Sequence, residues 1–361
     1  MRVRHLVPAL GVLATLAPVA SAADKVTWYG YSDTIFTIAD NDSDVGTAEE
    51  RKLGAGFSSS AVIGAKIAYD KVSGTITIWG NAGSTITLEQ SFAQFQVNDM
   101  LAVKAGKSYT PVGYLSAEAT GLFTINKSLI GYNSLYGANP IGAEAIISVN
   151  KELTVSAGLY NGFFGDDGQN KAFNVLDTTP PVITPDSANN KKQNTDLAIA
   201  LDVVYATEKF MVNGELVIDM GAASKGAAAD ENAAVVQFGL NGWYQASKEL
   251  KVGGEFIYRA GEPSNTGATD KDNTMAVLLH ANYVLNDKMS LNGMFQYASD
   301  DNDTGAKPKS WGLQAALMTN PTGNSNFGLN FEVGYASLDG DAGASADAAG
   351  FELSTEMLLA F

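Results

Sequence analysis

From Lys25 onward the chain repeats one pattern: segments of roughly ten residues in which every second side chain is apolar, with no uninterrupted apolar run long enough for a membrane helix. Leu250, Val252, Gly254, Phe256 and Tyr258 fall on one side of such a segment, and Lys251, Gly253, Glu255, Ile257 and Arg259 on the other. A period of two belongs to the β-strand, so each segment carries one greasy and one polar face. The same division separates Phe210, Val212, Leu216 and Ile218 from Asn213, Glu215 and Asp219. It also separates Phe327, Leu329, Phe331, Val333 and Tyr335 from Asn330 and Glu332. The chain reads as all-β.

The connections between segments fall into two classes that take turns. Very short turns occur at Asp70-Lys71, Asn98-Asp99, Asn150 to Glu152, Thr207 to Lys209, Ser247 to Glu249 and Asn286 to Lys288. Between them lie longer acidic or Gly-rich connections, near Asp40 to Glu50, Thr110 to Ala138, Gly162 to Asn194, Gly221 to Glu231, Gly261 to Asn273, Asp300 to Ala306 and Leu338 to Gly350, with a tight exception at Asn81 to Ser84. Short ends on one rim and long ends on the other predict a closed antiparallel transmembrane β-barrel with brief periplasmic turns and large external loops. About sixteen strands are expected, the first over Lys25 to Ala39 and the last over Phe351 to Phe361; blurred alternation over Thr85 to Val97 suggests a bulge. A soluble β-sandwich would also alternate, but its connections need not sort by rim, and sixteen strands would give a soluble protein a large apolar interior, whereas here the other face of each strand is polar and charged. A barrel in lipid accounts for both faces, and closure satisfies the backbone.

Residues 1–22 read as a cleaved export signal. Arg2, Arg4 and His5 give a positive start, Leu6 to Val19 is apolar, and Ala20-Ser21-Ala22 is a small-residue cleavage site. Residues 23–361 then form a single barrel. Of 23 basic side chains the leader holds Arg2 and Arg4, which leaves 21 basic against 39 acidic and a mature charge of −18. That balance excludes a nucleic-acid partner. With no Cys, stability in an oxidising compartment rests on packing and backbone pairing.

Two stretches carry a family likeness. The terminal run with Phe351, Leu353, Met357, Leu359 and Phe361 at alternate positions, broken by the polar Thr355, resembles the carboxy-terminal strand signal of Gram-negative outer-membrane proteins. That likeness implies the barrel-assembly machinery as a partner. The stretch Val103 to Gly113, through Gly106, Lys107, Thr110, Pro111 and Gly113, is similar to the strand-to-loop segment of Gram-negative β-barrel porins, as Tyr29-Gly30-Tyr31-Ser32-Asp33 is to their first strand. An acidic residue often follows that stretch closely in the family, whereas here Tyr114 and Leu115 precede Glu118, so no substrate preference is carried over. In general porins the third external loop folds inward. The resemblance therefore implies that residues 110–138 form a constriction loop, and likeness to sixteen-stranded porins implies a homotrimer. The competing arrangement packs this loop outside, against a neighbouring subunit.

A barrel of about sixteen strands is too wide for its own side chains to fill, which points to a channel for small hydrophilic solutes. Parity turns Asp33, Lys66, Lys104, Glu144, Asp202, Glu215, Glu255, Arg259, Glu332, Glu352 and Glu356 toward the water, with Glu118 and Lys127 on the candidate constriction loop. Acids outnumber bases there, so passive diffusion with weak cation preference is expected, Lys66, Lys104 and Arg259 opposing Asp33, Glu118 and Glu255 across the bore. Tyr29, Tyr31, Tyr160 and Trp243 also project inward, which keeps a saccharide-selective porin as an alternative. An adhesin or receptor barrel with ligand-binding loops is the other. The surroundings are outer-membrane lipid and lipopolysaccharide.

No enzyme is expected. The single mature His, His280, lies mid-strand with no local triad partner, and one His without Cys gives no transition-metal cluster, so neither cofactor nor metal is assigned. The acidic tracts Asp40 to Asp44 and Asp300 to Gly305 offer oxygen ligands but lack the spaced final Glu of an EF-hand. They read as solvated loops bridged to lipopolysaccharide by divalent ions.

Overall fold

A computed structural model describes residues 25–45, 48–81, 86–111, 113–115, 122–126, 128–130, 135–136, 139–164, 197–220, 234–263, 271–301, 309–322, 326–339 and 347–361. The leader, Glu118 and Lys127 lie outside them. Among the described residues are sixteen strands: β1 (Lys25–Val45), β2 (Ala48–Tyr69), β3 (Val72–Asn81), β4 (Ile86–Gln96), β5 (Leu101–Lys107), β6 (Ile141–Ser148), β7 (Leu153–Tyr160) and β8 (Ala198–Ala206). The second half continues with β9 (Phe210–Asp219), β10 (Val235–Gln245), β11 (Leu250–Pro263), β12 (Lys271–Asn286), β13 (Met289–Asp301), β14 (Lys309–Thr319), β15 (Phe327–Asp339) and β16 (Ala348–Ala360). Each pairs antiparallel with its chain neighbours, and β1 pairs with β16, so the sheet closes on itself.

The seam is held to the last residue. Gly30 donates its N–H to the Phe361 carbonyl at 3.1 Å, and Phe361 returns the bond at 2.9 Å. A Cβ on Gly30 would lie 2.6 Å from the Phe361 ring and 2.4 Å from the Val62 carbonyl oxygen, so this glycine is the seat on which the terminal ring rests.

Alternation sorts the faces as a barrel in lipid requires. Val212, Leu216, Phe238, Leu240, Tyr258 and Phe331 are exposed on the outer wall, while Asn213, Glu215, Gln237, Asn241, Glu255 and Glu332 are buried on the inner one. Exposed aromatics gather at both ends of the outer wall: Trp28, Tyr69, Tyr205 and Tyr244 near the short turns, Tyr258, Trp311, Tyr335 and Phe351 toward the other rim. These are the positions of interfacial girdles.

The short rim repeats one local device. A side-chain oxygen at the turn's start accepts the N–H groups that begin the next strand: Asn98 from Met100 and Leu101, Asn150 from Glu152 and Leu153, Thr207 from Lys209 and Phe210, Ser247 from Glu249 and Leu250. These Asx and ST turns explain why Asn, Ser and Thr recur there. At Asp70-Lys71 the chain instead turns through Asp70 in the left-handed region, φ 47°.

Two local features depart from the simple alternation. The expected loop over Asp40 to Glu50 is mostly a continuation of the β1–β2 ladder, paired as far as Val45 with Ala48. Beyond the bilayer neither face must be apolar, so pairing can persist where the pattern stops. Between β3 and β4 the register shifts at Thr77 and Ile78, leaving Glu89 of β4 as the extra residue opposite them. That bulge reverses parity and accounts for the blurred alternation.

Candidate functional site

Residues following β5 reach far across the sequence to the inner wall. Thr110 donates its hydroxyl to the Tyr136 carbonyl at 3.0 Å, joining the two ends of the segment. Gly113 adopts φ +105°, where a Cβ would lie 2.3 Å from the Tyr136 ring, so both the backbone and the space demand glycine. Its N–H donates to Glu215 Oε2 of β9 at 3.0 Å. Tyr136 donates its hydroxyl to Glu255 Oε2 of β11 at 2.6 Å, and Arg259 donates to the Leu135 carbonyl. The Thr-Pro-x-Gly stretch thus brings a bare backbone amide against a wall carboxylate. Gly113→Ala should destabilise this docking by about 1–3 kcal/mol through strain at positive φ and the clash with Tyr136. Thermal unfolding of the detergent-folded protein checks it; an unchanged melting temperature would contradict the account.

The middle of the segment docks on the next strands. Ile125 donates its N–H to Glu332 Oε2 of β15 at 2.6 Å, and the Asn126 amide donates to Glu332 Oε1 at 2.9 Å and Glu352 Oε1 of β16 at 2.6 Å. Gln314 of β14 donates to the Asn126 carbonyl at 2.9 Å, and Ser128 to Gln296 of β13 at 2.8 Å. Inward glycines make room for the apolar side chains: a Cβ on Gly334 would lie 2.4 Å from Leu129, and one on Gly312 3.3 Å from Ile130. Tyr114 and Phe123 stack on His280 of β12, with ring centroids 4.8 and 4.3 Å away. Burial first, then the Glu255 carboxylate, pushes the Tyr114 phenol well above its ordinary pKa, so it stays neutral.

The remaining charged residues have their own partners. Asp33 accepts the Ser60 N–H at 3.0 Å and its hydroxyl. Lys104 pairs with Glu144 at 2.6 Å, and Glu144 also accepts from Tyr160. Lys66 is exposed on the inner face, its ammonium 5.1 Å from the Tyr29 ring centroid. Lys104 and Arg259 are buried, at 6% exposure each. Of the charges named by parity, Glu215, Glu255, Glu332 and Glu352 accept bonds from the 113–136 region and Arg259 donates to it. Glu356 instead accepts from Asn330 of the neighbouring strand at 2.7 Å, and Asp202 on β8 and the charges on β1 to β6 do not contact that region through the bonds described.

Several contributors were not legible beforehand. Asn126 carries no charge and sits in a loop, yet it bridges two carboxylates. Phe163 and Phe164, after β7, form a second inward contact: both N–H groups donate to Asp219 Oδ2, at 2.6 and 3.0 Å, and the Arg259 guanidinium lies 4.2 Å from the Phe164 ring centroid. An aromatic pair at the head of the connection, just before the polar run Gly165 to Lys171, was the available signal. His280 is 4% exposed, and its ring serves as a stacking platform.

The fold is shared with solved outer-membrane proteins. The outer membrane channel DcaP of Acinetobacter baumannii superposes with a TM-score of 0.65 at 10% identity, over 95% of this chain and 99% of that one. An anion-selective porin from Comamonas acidovorans gives 0.60 at 12% identity, over 94% and 100%. OmpT of Vibrio cholerae, in a trimer form, gives 0.58 at 15% identity, over 93% and 100%. No curated protein matches the chain in sequence. The family model described as "Putative beta-barrel porin-2, OmpL-like" matches residues 26–348. With that match spanning nearly all of a closed sixteen-stranded barrel, the chain belongs to this porin family of the bacterial outer membrane.

Proposed function

We propose that the protein is a non-enzymatic, water-filled channel through which small hydrophilic solutes and ions diffuse passively, with weak preference for cations. One observation carries this reading: a closed ring of sixteen strands with an apolar outside and a polar inside, wider than its own side chains can fill. The segment 110–138 narrows the bore from the β9–β16 side. Lys66 stays exposed on β2, outside the docked region. Fixed charge on the inner wall is predominantly negative, which favours cations. The preference is weak because Glu215, Glu255, Glu332 and Glu352 are already engaged by loop donors.

The working unit is a homotrimer in lipid and lipopolysaccharide, delivered by removal of residues 1–22 and inserted by the barrel-assembly machinery through the Phe351 to Phe361 strand. Reversal potentials in planar bilayers under a salt gradient test the ion preference: cation selectivity is expected, and anion selectivity would defeat it. Proteoliposomes should swell in small sugars and progressively less in larger ones. Absence of swelling with folded protein would favour an adhesin or receptor barrel, and swelling restricted to one sugar class would favour a saccharide-selective porin.

A further inference from the structure

We propose that the channel rectifies, passing more current when its external side is positive, because inward lysines make the short-turn mouth basic while the long-loop mouth is acidic. This rests on the channel reading above. Lys25 opens β1, Lys66 lies three residues before the end of β2, and Lys251 is the second residue of β11, so all three stand at the short-turn end of the inner wall. The Lys66 ammonium lies 5.1 Å from the centroid of the Tyr29 ring, and that of Lys251 lies 4.7 Å from the centroid of the Trp243 ring. Both rings face inward, and attraction to an aromatic face holds each cation at the bore. Gly64 seats the first of them, since a Cβ there would lie 2.4 Å from the Tyr29 ring. Among the described residues neither lysine forms a salt bridge, whereas Lys104, three residues into β5, is paired with Glu144.

The inner-wall acids begin deeper. Glu144, Asp202 and Glu356 lie four residues from the short-turn ends of β6, β8 and β16, and Glu215, Glu255 and Glu332 lie five from theirs. Across the closing seam the separation is larger: Lys66 pairs with Thr27 and Glu356 with Ile35, eight residues further along β1. At about 3.3 Å per residue, about 26 Å of strand divides the two charges. In the short turns lysine and acid stand side by side, as in Asp70-Lys71, Lys151-Glu152 and Lys248-Glu249, and largely cancel. At the long-loop rim Asp42, Asp300, Asp301, Asp339 and Asp347 are exposed against Lys309. Fixed charge gathers counter-ions, so the external mouth is rich in cations and the short-turn mouth in anions. A positive external voltage drives cations in through the first and anions in through the second, and both carriers accumulate in the bore. Reversed voltage draws both out, and the conductance falls.

Planar-bilayer recordings with the protein added to one side test this. In potassium chloride at about 0.1 M, where charge acts over about 10 Å, the current–voltage curve should bend; at about 1 M, where the reach is about 3 Å, it should straighten. Polylysine, too large to pass, should depress the current only from the side that the acidic loops face, which fixes the orientation and hence the sign. The double variant Lys66→Gln with Lys251→Gln should conduct but lose the asymmetry, and a shift of electrophoretic mobility on boiling shows that it has folded. A straight curve at low salt, a bend of opposite sign, equal block by polylysine from both sides, or an asymmetry unchanged in the double variant would each overturn the inference while leaving the channel intact. Folded protein that carries no current at all would instead defeat the channel reading, and this inference with it.

Discussion

Replacing Glu332 with alanine is expected to raise single-channel conductance and add open-channel noise, because this carboxylate fastens the middle of the docked segment. It accepts the Ile125 N–H at 2.6 Å, the Asn126 amide at 2.9 Å and the Gln314 amide at 3.1 Å. Ile125 is 4% exposed, so its amide would be left buried with no water to replace the lost acceptor. A hydrogen bond to a charged group contributes about 1.5–3 kcal/mol, and an orphaned buried donor costs about 1–3 kcal/mol. Losing several such bonds at once exceeds what the Leu129 and Ile130 contacts can hold, and the segment should leave the wall. Glu332→Gln retains an acceptor oxygen and should fall between wild type and alanine. Planar-bilayer recordings make the comparison. Identical conductance and noise in all three proteins would mean that this segment does not bound the open path.

Gly30→Val should reduce the yield of closed barrel more than any single change on the outer wall. The new Cβ would lie 2.4 Å from the Val62 carbonyl oxygen and 2.6 Å from the Phe361 ring, so backbone as well as side chain must move. Overpacking typically costs about 1–3 kcal/mol, and here it falls on the ladder that joins β1 to β16 and closes the sheet. The reciprocal Gly30 and Phe361 bonds would open first. Comparing unboiled with boiled samples on a gel measures the closed fraction. Removing the ring as well, in Gly30→Val with Phe361→Ala, should restore little, because the Val62 carbonyl remains in place. Normal closure in Gly30→Val would show that the seam tolerates a Cβ and that the glycine is not its seat.

The two variants probe parts of the protein that differed in how far the sequence revealed them. Inward and outward faces were legible because a strand turns its side chains alternately, so Glu215, Glu255 and Glu332 could be assigned to the inner wall from their neighbours alone. The even strand count followed from turns and loops that alternate. What parity cannot do is distinguish one inward carboxylate from another. Glu332 fastens the segment and Glu144 binds Lys104, yet both occupy the same kind of position in a strand. Likewise nothing near Asn126 announces that its amide will join Glu332 to Glu352, more than two hundred residues away. Glu89 was hidden for the opposite reason: a bulge inserts one residue and exchanges the faces beyond it, which a period of two registers only as noise.

By itself the sequence determined the two solvents this protein lives between, since a greasy and a polar face on every strand can both be satisfied only with lipid outside and water within. It also determined the sidedness of the rims, because turn chemistry is local. Tertiary structure alone decided the closing register at Gly30 and Phe361, the bonds that tie Gly113, Ile125, Asn126 and Tyr136 to β9, β11, β15 and β16, and the grouping of Asn213, Asn241 and Glu255 into one patch. Those depend on which strands stand side by side and at what height, and that is set by hydrogen-bond pairing around the whole ring rather than by any stretch of neighbouring residues.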